Sequence, residues 1–303
     1  MTVPNFVIAG AARSGTTAIA EAIRAHPDAF VTQPKEPHYF AFAGRQVEFT
    51  GPYDDATINR VCVTDRDSYL ALYPADGQYV ALGDGSVSTL YHHKSAVSAI
   101  SDVNPSMRIV LILRDPVERA FSSYQYLRAR GFEPLDDFHA ALRDEPRRVE
   151  AGWQHLFHYR GMSRYAESVA HFFDAFGRDQ VGVWFYEDFA FDSQATVVRI
   201  CEFLGLDPQR LNAQEAPRVN VSGSPRSRTL QRVIQGATRS QALRSTVKSV
   251  VPFGMRERIR RANSKGSRAP DDVRRELEPG FADDVARLAA LLDGQAVPGW
   301  ARG

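Results

Sequence analysis

Residues 6–25 read FVIAGAARSGTTAIAEAIRA: an apolar run, a glycine-bounded loop and an alanine-rich helical pattern. Phe6, Val7 and Ile8 suit a buried parallel strand, and Ala18, Ile19, Ala22 and Ile23 mark one face of a helix that starts near Thr16. Backbone N–H groups at such a helix start hold anions. Gly10 and Gly15 have the spacing of a Walker A loop, yet Thr16-Thr17 stands where a nucleotide triphosphatase has Lys-Ser/Thr. The loop carries its cation earlier, as Arg13, whose forked donors suit a pair of phosphate or sulfate oxygens. An anion other than a triphosphate is therefore expected here. A tight strand-to-helix turn with no ligand is the plain alternative.

The rest of the chain extends this beginning into an α/β protein with one domain. At 303 residues and 44% hydrophobic content it can bury a sizeable core. A net charge of +1 gives the whole molecule no strong preference for nucleic acid or a membrane surface, so only local charge matters. Cys62 and Cys201 lie far apart, form no metal-ligand or redox spacing and read as two free thiols, which suits a cytoplasmic protein. The sequence shows neither a signal-peptide pattern nor an apolar run long enough to span a membrane.

Strand and helix patterns alternate, which argues for about five parallel strands covered on both faces. Ala29–Val31 leads into Gln33-Pro34-Lys35-Glu36-Pro37-His38-Tyr39-Phe40, a loop stiffened by its prolines. Such a loop leaves the carboxyl end of a strand and faces the ligand crevice, which brings Lys35, Glu36 and His38 to where chemistry occurs. A strand over Tyr79–Leu82 ends in the acidic turn Gly83-Asp84-Gly85-Ser86, and Arg108–Leu113 ends at Arg114 ahead of a helix carrying Ser122. Residues 134–176 read as helical with an aromatic core, and 181–186 as a further strand followed by a helix from about Ala195.

Beyond Pro217 the composition changes: Arg226 to Arg268 holds twelve Lys or Arg against one acid, Glu257. A solvated face, a cover over an anionic ligand and peripheral contact with a membrane all fit this bias. Residues 271–303 read as a C-terminal helical segment broken at Pro279-Gly280. The chain thus divides into a core of about 5–217, a basic segment of about 218–270 and that helical end, all within one domain over 1–303.

Three anion-handling features line up: the loop with Arg13, the segment LRDPVERAFSSY with Arg114 and Ser122, and Ser264-Lys265-Gly266 late in the chain. Together they resemble the 3'-phosphoadenosine 5'-phosphosulfate (PAPS)-dependent sulfotransferases, most closely the heparan-sulfate type and its bacterial relatives. The resemblance implies a P-loop-like fold in which Arg13, Ser14, Gly15, Thr16 and Thr17 hold the 5'-phosphosulfate. It also implies that Arg114 and Ser122 hold the 3'-phosphate, and that Lys265, Gly266 and Arg268 close over the nucleotide. One residue separates Gly266 from Arg268, where relatives often have Gly-Arg directly. Glu36 resembles the family's base, with Lys35 beside the transferring group and His38-Tyr39-Phe40 following. Asp84 resembles its acidic position after the third strand, although the lysine that often follows is Gly85 here.

PAPS presents two separate anionic ends, and the sequence offers two separate basic clusters. No metal-ligand spacing occurs, so a metal-free transfer is expected. The implied acceptor is a hydroxyl, or an amine, on a carbohydrate, glycolipid or glycosylated metabolite. Rival readings are a P-loop kinase or nucleotide hydrolase, and a non-catalytic nucleotide-binding protein. His92 and His93 are rival bases, whereas His155, His158 and His171 read as packing. Oligomeric state is not legible.

Overall fold

The computed structural model describes residues 2–75, 78–211, 223–225, 264–266, 268–293 and 295–301. Its centre is a five-stranded sheet in the order β2-β3-β1-β4-β5. The strands are β1 (Phe6–Gly10), β2 (Ala29–Val31), β3 (Ala81–Asp84), β4 (Arg108–Leu113) and β5 (Val181–Phe185), with every pairing parallel. The expected number and direction of strands are both observed.

Alternation along the strands builds two cores. Phe6, Ile8, Val110 and Ile112 face α1 (Thr16–Arg24) and the later helix Ser193–Leu204 through Ile19, Ile23, Ile200 and Leu204. Val7, Ala9, Ile109 and Leu111 face the opposite layer, built from helices His93–Val103 and Ala166–Phe176 through Ile100, Val169 and Phe172. Helix α1 and His93–Val103 therefore leave β1 and β3 on opposite faces, and the loops at the carboxyl end of β1 splay apart at this switch point.

A third cluster lies beyond β4. Helix Pro116–Arg130 packs through Val117, Tyr124 and Leu127 against helix Phe138–Glu150 and the C-terminal helices Asp271–Leu277 and Ala282–Leu291. The C-terminal pair is interrupted by a 3-10 turn at Glu278–Gly280, where the proline and glycine predict the break. Residues 134–176, expected to be helical, instead form two helices separated by short 3-10 turns at His155–Phe157 and Gly161–Ser163. Gly152, at φ 72°, adopts the left-handed backbone that stops the first of them. Trp300 packs on Phe185 and Tyr165 and fixes the end of the described chain. Cys62 and Cys201 form no disulfide. Among the described residues no helix is long and apolar enough to cross a membrane.

Phe6 approaches its sheet partner Gly83 closely. A Cβ at position 83 would collide with the Phe6 carbonyl oxygen and lie 2.8 Å from two carbons of its ring. Neither backbone nor a fully buried ring can give way. Gly83→Ala is expected to lower stability by roughly 2–3 kcal/mol or more, read as a lower urea midpoint with the slope unchanged.

Candidate active site

The loop after β1 turns on two residues in left-handed backbone, Arg13 at φ 72° and Gly15 at φ 84°. Gly15 caps α1 and lies under Phe189, whose Cδ1 would be 3.0 Å from a Cβ placed there. The cap leaves the first amides of α1 pointing out of the helix at the carboxyl edge of the sheet. Ser14 is fully buried in this loop, and its hydroxyl has no hydrogen-bond partner among the described residues. Thr16 is buried and Thr17 exposed.

Arg114 joins the loop from the end of β4. Its Nη1 donates to the Arg13 carbonyl oxygen at 2.9 Å, and its guanidinium lies 4.4 Å from the centre of the Tyr186 ring. Arg13 and Arg130 lie 4.3 and 4.4 Å from the centre of Tyr126. Burial pushes the Arg13 guanidinium down to about 10; Tyr126 opposes this, and Arg114, Arg130 and Arg119 reinforce it. Arg119 is fully buried, donates to Ser163 Oγ at 2.6 Å and to the Tyr159 carbonyl at 2.8 Å, and is likewise depressed by burial. Ser122, on the helix that follows Arg114, is buried with its hydroxyl unpartnered among the described residues.

Asp115 and Glu118, beside this group, are already engaged. Arg274, from the C-terminal helix Asp271–Leu277, binds Asp115 and Glu118, each at 3.0 Å, while Arg114 stays 3.9 Å from Glu118. Asp115 also caps the helix that begins at Pro116. The cluster of guanidiniums thus keeps an excess of positive charge beside the loop.

The loop after β2 brings Lys35 and Glu36 to the same edge. Lys35 Nζ donates to Glu36 Oε1 and to the Gly85 carbonyl, both at 2.8 Å, and the Gly85 amide returns a bond to the Lys35 carbonyl at 2.9 Å. Burial raises the Glu36 carboxyl, but Lys35, His38 and Arg13 outweigh it and hold it below its ordinary value. A side chain at position 85 would lie 2.6 Å from Lys35 Cε. Lys35 therefore occupies the space that a side chain after Asp84 would need.

Asp84, expected to act directly, is fully buried with both oxygens occupied. One accepts from the Ser86 amide and the other from the Tyr69 hydroxyl, each at 2.8 Å. Its carboxylate turns the chain so that Ser86 Oγ accepts the His38 amide at 3.0 Å. His38 is buried, and its Nδ1 lies 2.8 Å from Ser88 Oγ.

The histidines expected to pack, His155 and His158, do so within a cluster that also takes in His92 and His38. His155 meets His92 at 5.3 Å and His38 at 6.3 Å between ring centres, and Tyr91 reaches His158 Nδ1 at 2.9 Å. Ring nitrogens of His92, His155 and His158 lack partners among the described residues. His93 and His171 form a separate pair through their Nδ1 atoms at 2.8 Å. Among the described residues no group of histidines, cysteines and carboxylates is placed to hold a metal ion.

Of the late loop, Ser264–Gly266 pairs antiparallel with Gly223–Pro225, with Lys265 opposite Ser224 and Gly266 opposite Gly223. Arg268 is exposed, and the next amide, of Ala269, donates to Glu118. Most of the basic segment 226–268, with Asn263 and the side chain of Lys265, lies outside the described residues. Sequence reading missed Arg119, Tyr126, Arg130, Tyr186 and Arg274. Arg119 alone carried a signal, since it lies inside the same LRDPVERAFSSY segment as Arg114.

Fold and site define an α/β protein whose P-loop-like turn offers arginine and backbone donors to an anion where a triphosphatase has its lysine. The chain belongs to the sulfotransferase family, whose model matches residues 4–210. A sulfotransferase from Alicyclobacillus acidocaldarius superimposes over all of both chains with a TM-score of 0.75 and 30% identity. Mouse sulfotransferase SULT7A1, crystallised with PAP, shares the fold at a TM-score of 0.50 and 16% identity, over 97% of this chain and 87% of that one. Carbohydrate sulfotransferase 15 of Mus musculus is 22% identical over 275 residues, which cover 75% of this chain. The chain spans about half of that relative's length, 47%.

The buried histidines make stability depend on pH. Burial pushes His92 and His158 down to about 4, from an ordinary 6.5. As pH falls through this window the unfolded chain takes up protons that the folded one does not, so their contribution is complete above about pH 6.5 and lost towards pH 4. The melting temperature should fall across that range, and His158→Phe should flatten the slope. An unchanged slope in calorimetric melts would show that this ring titrates normally in the folded protein.

Proposed function

We propose that the chain is a PAPS-dependent sulfotransferase acting on a hydroxyl, or an amine, of a carbohydrate or glycosylated compound. The observation that carries this is the pair of buried, unpartnered hydroxyls, Ser14 and Ser122, in the two segments that also supply Arg13 and Arg114. Guanidiniums and hydroxyls supplied by two segments of the chain fit a donor that carries both a phosphosulfate and a 3'-phosphate. SULT7A1, which shares the fold, was crystallised with PAP, adenosine 3',5'-bisphosphate. The match to carbohydrate sulfotransferase 15 supports a carbohydrate acceptor.

The donor would supply an activated sulfuryl group, and the chain would position it. Arg13, Ser14 and the amides of Gly15, Thr16 and Thr17 hold the 5' end, while Arg114 and Ser122 hold the 3'-phosphate. Lys265, Gly266 and Arg268 complete the cover. Glu36 takes the proton of the attacking hydroxyl, and its depressed pKa keeps it ionised at neutral pH. Lys35, bonded to Glu36, offsets charge that develops on the sulfuryl oxygens. Asp84 and His38 are positioning residues in this reading, because their polar atoms set the turn that carries Lys35 and Ser86. Catalysis is then mainly orientation and charge stabilisation, with no metal step. The free thiols of Cys62 and Cys201 favour a cytoplasmic enzyme.

Adenosine 3',5'-bisphosphate should bind without metal in a calorimetric titration, and Arg114→Ala should weaken it about tenfold or more, as expected for loss of a charged hydrogen bond. Binding of ATP·Mg²⁺ in its place would return the loop to the kinase class. Glu36→Gln should abolish transfer from PAPS to a carbohydrate panel while leaving bisphosphate affinity near normal. Retained turnover would move the base elsewhere.

A further inference from the structure

A cleft of about 500 Å³ opens beside the loop after β1. Ala11, Val87, Leu90 and Met162 line its depth, and all four are buried. His92 stands in its wall, stacked edge-on against His155, which in turn faces His38 two residues from Glu36. The cleft therefore meets both the anion loop and the histidine cluster. Its volume suits a small ligand or one or two sugar rings.

Charge in the cleft is one-sided. Arg45, Lys94, Arg164 and Arg287 line it, against two carboxylates, Glu167 and Asp284. Both acids are otherwise used: Asp284 accepts the Tyr165 amide at 2.7 Å at the start of helix Ala166–Phe176, and Glu167 pairs with Lys94 at 2.8 Å. Arg45 and Arg164 are exposed, and neither pairs with a carboxylate among the described residues. On a chain with a net charge of only +1, this is a local field without a full set of partners among the described residues. A wholly neutral acceptor would gain nothing from it.

We propose that this cleft is the acceptor site and that it takes a hydroxyl compound carrying its own carboxylate or sulfate, which Arg45 and Arg164 hold. The inference rests on the sulfotransferase reading above and adds the class of acceptor and two specificity residues. Arg45 and Arg164 grip the anionic group at the rim. His92, in the wall of the cleft and neutral at pH 7, lies beside the hydroxyl-bearing part. Each neutral ring can give or accept one hydrogen bond, as a sugar hydroxyl requires.

The test is calorimetry on the full chain with three tetrasaccharide probes: neutral chitotetraose, a sulfate-bearing chitotetraose and a hyaluronan tetrasaccharide, which carries carboxylates. At least one acidic probe should bind more tightly than the neutral one, and which of the two binds identifies the anion. The double variant Arg45→Ala/Arg164→Ala should weaken that probe roughly three- to tenfold, with a shallower salt dependence, as two rim charges allow. Adenosine 3',5'-bisphosphate affinity should not change. Equal binding of neutral and acidic probes, no effect of the double variant, competition by inorganic sulfate alone, or no binding of any probe would each overturn the proposal. If acidic probes bind through the two arginines while the bisphosphate does not bind, the cleft stands and the PAPS reading fails.

Discussion

Mutual repulsion among Arg13, Arg114, Arg119 and Arg130 is the constraint around which this edge of the molecule is arranged. Arg13 carries the mark of it, held down to about 10 by burial with its three neighbours contributing. The fold answers with neutral partners. Arg119 donates to a serine hydroxyl and a carbonyl, and Arg114 to the Arg13 carbonyl. Tyr126 and Tyr186 offer ring faces in place of carboxylates. None of these partners cancels charge, so the field survives for an incoming anion. Had carboxylates been used, the guanidiniums would be held more cheaply and the site would be neutral.

Arg274 completes this separation of charge. Glu118 lies one helical turn from Arg114 and would form the obvious ion pair with it. Instead both Asp115 and Glu118 are held at 3.0 Å by Arg274, and Arg114 remains at 3.9 Å. The C-terminal helix thus does electrostatic as well as packing service. It joins the third core through Val273 and Leu277, and through Arg274 it keeps two acids turned from the loop. The Ala269 amide, just before that helix, adds a further bond to Glu118.

Much of the fold was legible because it is written locally. Apolar runs such as Arg108–Leu113 can be only buried strands between turn signals, and the observed strand has those bounds. The 134–176 region was misread because its aromatic pattern continues through Gly152 and Gly161, where the backbone turns although the hydrophobic spacing does not. The site divides the same way. Arg13 stands out in its glycine-bounded loop, and Ser14, Arg114 and Ser122 lie in segments whose family resemblance marks them, whereas Tyr126 lies two residues past the LRDPVERAFSSY segment, and Tyr186 and Arg274 reach the cluster from other elements and leave no local trace. The histidine cluster was missed for that reason too: His38, His92 and His155 meet only once the sheet is assembled.

Lys35 and Gly85 show how a departure from a sequence pattern can leave the chemistry in place. The turn after Asp84 has glycine where relatives often have lysine, which on the sequence alone removes a cation from the site. In space the cation is there. Lys35 arrives from the loop after β2 and fills the volume beside Gly85, so closely that a Cβ at that position would lie 2.6 Å from Lys35 Cε. The two arrangements compete for one space: a side chain at position 85 would require the end of Lys35 to shift from where it bonds Glu36. The buried Asp84 fits the same logic, since its bonds to Tyr69 and the Ser86 amide fix the turn whose carbonyl receives Lys35. The glycine thus makes room for the Lys35–Glu36 pair, because Lys35 runs through the volume in which a side chain at position 85 would begin.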